Sequence, residues 1–363
     1  MTWFFIFGVP LVLSILLTPI IKKIAIKIGA VDHPNARKVH TKVMPRMGGV
    51  AIFLATTIGI ILFANETEEP LFWILLGSLV IVITGIIDDI KPLSAKTKLV
   101  FQIIAAAIVV SGGVKIQFIT VPVFYKIIYL GEWSWLVSIL WIVGITNALN
   151  LIDGLDGLAA GVSSIALSTI FIMSLIMGNT MVAIITLVLL GATIGFLFFN
   201  FYPAQIFMGD SGSLYLGFFL STLSILGFKN ITVVSYLIPI VILGVPIFDT
   251  IFAIIRRFRL KLPITAPDKK HLHHCLIDMG FSHRKTVLII YGINILFSLA
   301  AIFLSQTTVW IGIIVMTILV LFVLIGVEWT GILGETKKPV TRFIVGVGSW
   351  LFGIAVNKPH IRG

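Results

Sequence analysis

Runs of about twenty apolar residues recur along the whole chain, and nothing else limits its possible folds as much. A hydrocarbon core about 30 Å thick is spanned by about 20 residues at 1.5 Å rise each, so these runs are expected as membrane helices. Eleven are read, at 3–21, 48–64, 71–87, 99–114, 135–152, 158–177, 181–199, 214–228, 235–255, 287–305 and 309–327. Hydrophobic residues fill 58% of the 363 positions, charged ones 11%, and the mean hydropathy is +1.13, a composition that needs lipid as its solvent. Without alternating strands a barrel is excluded. The expected fold class is all-α and polytopic, with about eleven transmembrane helices.

With alternate loops placed inside, 23 of the 26 Lys and Arg residues fall on one side, leaving Lys115, Lys126 and Lys229 on the other. The positive-inside rule makes that side the cytoplasm, with the N-terminus outside and the C-terminus cytoplasmic. The first run has no positive charge or small-residue cleavage site ahead of it, and Lys22, Lys23 and Lys27 follow it, so it is expected to stay in the membrane. The net charge of +11 then describes a cytoplasmic surface attracted to anionic membrane lipid, and no nucleic acid is expected as a partner. The lone Cys275 excludes an intramolecular disulfide and is expected as a reduced thiol.

No internal repeat or low-complexity tract divides the chain. One membrane domain is expected over 1–327, with cytoplasmic loops at 22–47, 88–98, 150–157, 200–213 and 256–286. A cytoplasmic tail follows at 328–363. Its apolar stretch at 343–356, flanked by Arg342 and Lys358, is short for a span and is read as an interfacial helix.

Carboxylates near membrane depth are costly, about 2.5–3.5 kcal/mol each at a helix centre, so each one needs a reason. Asp88 and Asp89 end the third run, Asp153 and Asp156 follow the fifth, Asp210 follows the seventh and Asp249 lies late in the ninth. All six fall at the side assigned to the cytoplasm. Gathered together they would repel one another unless cations sat among them, and Mg²⁺ suits one or two carboxylates completed by water and phosphate oxygens. Capping of helix ends or pairing with nearby Arg and Lys is the plainer alternative, best for Asp249 because Arg256 follows seven residues later. Asp88 and Asp89 point about 100° apart on a helix, so one is read as facing a metal and the other a second substrate.

Asn147, Asn150, Asp153 and Asp156 recur at intervals of three, which makes successive polar groups neighbours on a helix or tight turn, and Gly154 and Gly157 allow a ligand to come close. This ladder reads as a ligand site. Met208-Gly-Asp210-Ser-Gly-Ser213 opens a helix whose free N–H groups are expected to favour an anion, or simply to be capped, and Phe207 ahead of it can stack on a base or pack against the membrane. The late loop holds Arg256, Arg257, Arg259 and then His271-Leu-His273-His274. With adjacent histidines pointing apart and a single cysteine, phosphate binding is preferred there over zinc.

Six separated motifs in order, Pro45-Arg46-Met-Gly-Gly49, Asp88-Asp89, Asn147 through Gly157, Phe207-Met-Gly-Asp210, Pro246-Ile-Phe-Asp249 and His271-Leu-His273-His274, make the chain resemble the polyprenyl-phosphate N-acetylhexosamine-1-phosphate transferases. That family includes the MraY type and the WecA/TagO branch. The resemblance covers nearly the whole membrane domain. It implies a multi-pass enzyme of the cytoplasmic membrane, its active site facing the cytoplasm, that couples a UDP-sugar to polyprenyl phosphate with Mg²⁺, or Mn²⁺, and releases UMP. By resemblance Asp210 is the metal ligand, Asp88 the base or lipid-phosphate partner, and Asn150, Asp156 and Phe207 contact the nucleotide. Asp89, Asp153 and Asp156 join Asp88 as catalytic candidates, and Asn147, Arg46, Arg256, Arg257, His271, His273 and His274 join the substrate-binding ones.

The MraY type carries three consecutive histidines where this chain has His-Leu-His-His, and Val31 through His40 is TagO-like. The resemblance therefore points to the WecA/TagO branch, with UDP-GlcNAc as donor and undecaprenyl phosphate as acceptor, the first membrane step of teichoic acid or another surface polysaccharide. A second copy of the chain, as a homodimer, is kept as a partner. The MraY-type reaction on the muramoyl-pentapeptide donor is the alternative. A lipid or solute transporter is the alternative of another class, although it should spread its charges toward the midplane.

Overall fold

Each of the eleven apolar runs is mostly helical over its described residues in the computed structural model, which describes residues 2–34, 43–64, 69–121, 126–227, 237–263, 268 and 270–333. The elements begin with α1 (Thr2–Ile28), a two-stranded antiparallel pair β1 (Val31–Asp32) and β2 (Met44–Pro45), α2 (Gly48–Phe63), α3 (Glu69–Ile90) and α4 (Ala95–Ser111). A hairpin of β3 (Phe118–Val121) and β4 (Lys126–Tyr129) leads to α5 (Trp133–Ile152), α6 (Leu158–Ile176), α7 (Thr180–Asn200) and α8 (Asp210–Gly227). The chain continues through α9 (Leu237–Ile242), α10 (Gly244–Arg259), α11 (Leu272–Asp278), α12 (His283–Ser305) and α13 (Val309–Thr330). The apolar tail stretch at 343–356 lies outside the described residues.

Seven of these helices, α1, α3, α5, α6, α7, α12 and α13, are long and apolar enough to cross a membrane by themselves. This is a polytopic membrane protein. The other runs depart from the simple picture for physical reasons. The ninth run is broken at Leu243 into α9 and α10, with Pro239 and Pro246 each in a helical first turn, where the missing N–H has no intrahelical partner to lose. The eighth begins at Asp210, four residues earlier than expected, and its hydroxyl-bearing residues need no lipid because every residue of α8 except Leu226 is buried.

That helix is the centre of the bundle. It packs against α2, α3, α5 and α6, while α1 lies across α2 and α7 at the periphery. Tyr215, Phe218 and Phe219 are fully buried along it, and Ser221, Thr222 and Ser224 satisfy their hydroxyls on the carbonyls of the preceding turn. The two short hairpins were not foreseen in the all-α reading. The first matters for function: β2 continues into a second backbone pairing, with Phe207 N donating to Pro45 O at 2.9 Å and Gly48 N and Gly49 N donating to the carbonyls of Phe207 and Met208. The start of α2 is thereby fastened to the segment that opens α8.

Candidate active site

Five chain segments meet at one end of the bundle: the end of α3, the first turns of α4 and α8, the turn after α5, and the residues ahead of α2. Asp89, at the end of α3, has a fully buried side chain that accepts from Asp210 N at 2.8 Å and Ser211 N at 3.1 Å. The first N–H groups of α8, expected from sequence to attract a ligand anion, are thus satisfied by an anion of the protein itself. Such an approach is possible because Gly85 and Gly49 face α8. A Cβ on Gly85 would collide with Ser211 backbone, and one on Gly49 with Gly212 backbone.

Asp88 points elsewhere, as its 100° offset requires. It accepts from Leu93 N at 2.8 Å and lies 3.4 Å from Lys98 Nζ, which donates to Asp210 Oδ2 at 2.8 Å. Arg46 completes the cluster, 3.3 Å from Asp89 and 3.4 Å from Asp210. Burial opposes the Arg46 charge, but Asp89, Asp210, Asp32 and Asp153 outweigh it and hold the guanidinium above its ordinary range. Lys98 was missed by the sequence reading, which used it only as an orienting charge. The available signal was its place near the start of α4, four residues after the Ser94 cap, where the helix dipole disfavours a cation unless carboxylates lie close by.

The polar ladder after α5 divides. Asn147 turns into the bundle, donating to Gln102 at 2.6 Å and to Val143 O, and Asn150 donates to Ser213 Oγ at 2.8 Å. Steps of three residues drift about 60° around a helix, and α5 ends at Ile152, so the four side chains do not share one direction. Asp153 and Asp156 instead line a cavity of about 430 Å³, together with Arg46, Phe207 and His274 from the expected set. Burial first, then the charges of Asp210, Asp89 and Asp156, push Asp153 up to about 7 despite Arg46. Asp32, Asn200, Tyr202 and His283 also line this cavity and were missed as site residues. The polar and aromatic run Asn200-Phe-Tyr202, at the end of an otherwise apolar helix, was the legible sign.

The late loop is built differently from expectation. Asp249 does not pair with Arg256, since seven helical residues rise about 10.5 Å, beyond the reach of an ion pair. Both Asp249 and His271 are buried, with 2.7 Å between Asp249 Oδ2 and His271 Nδ1, and Asp249 also accepts from Leu272 N at 2.7 Å. Arg256 is committed to an ion pair with Asp268 and donates to Ile332 O. Neither Arg256 nor Arg257 lines the cavity, so the pair expected to grip phosphates is instead buried in the supporting structure. His273 is 2% exposed and abuts Gly154, and burial with the nearby His274 pushes its pKa down to about 3, which leaves it neutral. Of the three loop histidines, His274 is the one at the cavity wall.

Asp88 and Asp210 present carboxylates to the same ammonium, while among the described residues no group of three or more His, Cys, Asp or Glu forms a metal cage. Two hard oxygen donors near a cavity lined by Arg46, which pairs with Asp210, are the protein share that Mg²⁺ takes, so the residues fit that ion.

The chain is similar in sequence to known proteins. Residues 71–228 match the model of glycosyl transferase family 4. A Bacillus subtilis protein called probable undecaprenyl-phosphate N-acetylglucosaminyl 1-phosphate transferase is 51% identical over 93% of this chain and 94% of its own length. An undecaprenyl-phosphate alpha-N-acetylglucosaminyl 1-phosphate transferase of Thermotoga maritima is 32% identical over 79% of this chain and 86% of its own. A phospho-N-acetylmuramoyl-pentapeptide-transferase of Halalkalibacterium halodurans is also 32% identical, over 84% and 96%. The chain belongs to glycosyl transferase family 4, within the superfamily of polyprenyl-phosphate N-acetylhexosamine-1-phosphate transferases.

Proposed function

We propose that this transferase moves N-acetylglucosamine 1-phosphate from UDP-GlcNAc to undecaprenyl phosphate, releasing UMP, at the cytoplasmic face of the cell membrane. The observation that carries the reading is the position of the 430 Å³ cavity against the Arg46, Asp210, Lys98 and Asp88 cluster. A water-soluble nucleotide enters such a cavity while a lipid phosphate reaches the same helix ends from the membrane. The 51% identical relative is named for this transfer, and 23 of 26 basic residues on the same side as the cavity support its cytoplasmic orientation.

Of the residues lining the cavity, Phe207 and Tyr202 are assigned to the uracil, Asp156 and Asn200 to its polar edge, and Arg46 to the diphosphate. A phosphate monoester has a second pKa of about 6, so the acceptor is mostly a dianion near neutrality. One of its oxygens bonds to the sugar-bearing phosphorus, the bond from that phosphorus to the bridging oxygen breaks, and UMP leaves with the electron pair. A dianionic acceptor brings no proton to remove, so Asp88 acts as a base only toward the monoanion. Arg46 and Lys98, held in place before substrates arrive, offset the repulsion between the two phosphates. Mg²⁺, or Mn²⁺, held by Asp210 with Asp88, would add positive charge at the same point.

The test is release of UMP by purified protein with Mg²⁺ and undecaprenyl phosphate, comparing UDP-GlcNAc with UDP-MurNAc-pentapeptide. Turnover of UDP-GlcNAc alone is expected. Turnover of only the pentapeptide would move the chain to the other branch, and no UMP from either donor would sink the reading.

A further inference from the structure

The turn between α5 and α6, which carries Asp153 and Asp156, has no regular structure of its own, so its shape depends on partners. Three of these come from α12. His283 Nε2 accepts from Asp156 N at 2.9 Å, Tyr291 Oη donates to Gly157 O at 2.5 Å, and Asn294 Nδ2 donates to Val162 O at 3.2 Å. At 100° per residue these positions fall within an arc of about 80°, so they share one face of the helix. Polar groups in a membrane helix are costly, and here each one bonds to the backbone of one short segment. Asn294 is fully buried.

The approach is close. Gly161, one turn into α6, lies directly beneath the Tyr291 ring, and a Cβ there would collide with the phenol oxygen. The His283 ring also lies against Tyr202, 4.8 Å between ring centres, and Asp156 Oδ2 accepts from Ala204 N at 2.9 Å. A backbone N–H can only donate. His283 must therefore keep a lone pair on Nε2.

We infer that this face of α12 is a strut for the cavity, and that His283, assisted by Tyr291, is a positioning residue that presents Asp156 to the donor nucleotide. The inference rests on reading the cavity as the UDP-GlcNAc site. His283 acts through the backbone of Asp156, so its loss should weaken donor binding and leave the lipid acceptor untouched.

Two substitutions separate the functions of the ring. His283→Phe keeps a ring against Tyr202 but has no acceptor, whereas His283→Gln places a carbonyl oxygen near the position of Nε2. Hydrogen exchange of peptides covering 153–162 is measured without substrate, and KM is measured separately for UDP-GlcNAc and undecaprenyl phosphate. Loss of one buried hydrogen bond is expected to speed exchange in the Phe variant and raise the donor KM about tenfold, with the acceptor KM within about twofold. The Gln variant should recover most of both changes. Tyr291→Phe, which removes a single oxygen, should shift exchange in the same direction and serves if His283→Phe does not fold. Wild-type exchange at 153–162 in the Phe variants, or equal changes in both KM values, would overturn the strut. Failure of the wild-type protein to turn over UDP-GlcNAc would instead remove the donor reading, and the exchange result would still judge the strut.

Discussion

Replacing Asp89 by asparagine removes one negative charge from the point where α3 meets α8. The Asp89 carboxylate accepts from two backbone N–H groups of α8 and faces Arg46 Nε at 3.3 Å. Asparagine has one carbonyl oxygen, so it can serve one of those N–H groups while its amide turns donors toward the other. A buried donor left without a partner costs about 1–3 kcal/mol. Breaking a buried ion pair costs about 3–5 kcal/mol, but the Arg46 side chain is 26% exposed and keeps Asp210, so that contribution is reduced. A total loss of about 3 kcal/mol is expected, which lowers the unfolding midpoint by about 4 °C in a chain of this size. Thermal unfolding in detergent can be followed through the buried Cys275, the only thiol, whose reaction with a thiol reagent reports opening. Asp88→Asn is the control, with the same charge removed one position away. Its midpoint should stay within about 2 °C of wild type while turnover falls, because Asp88 faces Lys98 and not the start of α8. If Asp89→Asn unfolds like wild type yet loses all turnover, the carboxylate takes part in chemistry and the capping argument is refuted.

Asp210→Asn should abolish most activity and weaken its dependence on Mg²⁺, whereas Asp88→Asn should keep UDP-GlcNAc binding and impair the lipid-dependent step. Mg²⁺ titrations with separate nucleotide binding test this, and the opposite pattern would reverse the two roles. Asp153, raised from 3.8 to about 7 by burial and neighbouring carboxylates, keeps its proton in the folded state where the unfolded chain has lost it. Its stabilising contribution is therefore complete below about pH 4 and lost as pH rises toward 7, and Asp153→Asn should flatten the pH dependence of the unfolding midpoint across that window. Unchanged slopes would show that Asp153 does not titrate there. A Lys270→Cys variant in a Cys275→Ser background should resist impermeant thiol reagents added to intact cells and react after the membrane is opened; labelling from outside would invert the topology.

The site was partly legible for reasons that differ from residue to residue. Arg46, Asp153, Asp156, Phe207 and His274 were named from motifs and do line the cavity. Lys98 and His283 were overlooked because each looked ordinary in its own segment: a basic residue in a short loop, and a histidine at the start of an apolar helix. Their significance lies in partners 112 and 127 residues away. Arg256 and Arg257 were named as phosphate ligands, and the structure places both away from the cavity wall. A cluster of cations beside histidines suggests phosphate, but Asp268 and the carbonyl of Ile332 had already taken Arg256.

By itself the sequence determined the membrane class and the helical runs, because hydropathy acts on each segment separately and an apolar run of membrane length has few other solutions. It also carried the family motifs, and it placed the carboxylates at one end of their helices. Only the tertiary structure decided which partners each carboxylate meets. Asp88 and Asp89 are identical in type and adjacent in sequence. The 100° between them sends one to Lys98 and the other into the start of α8, and that choice exists only once Gly85 and Gly49 have let the three helices close on one another.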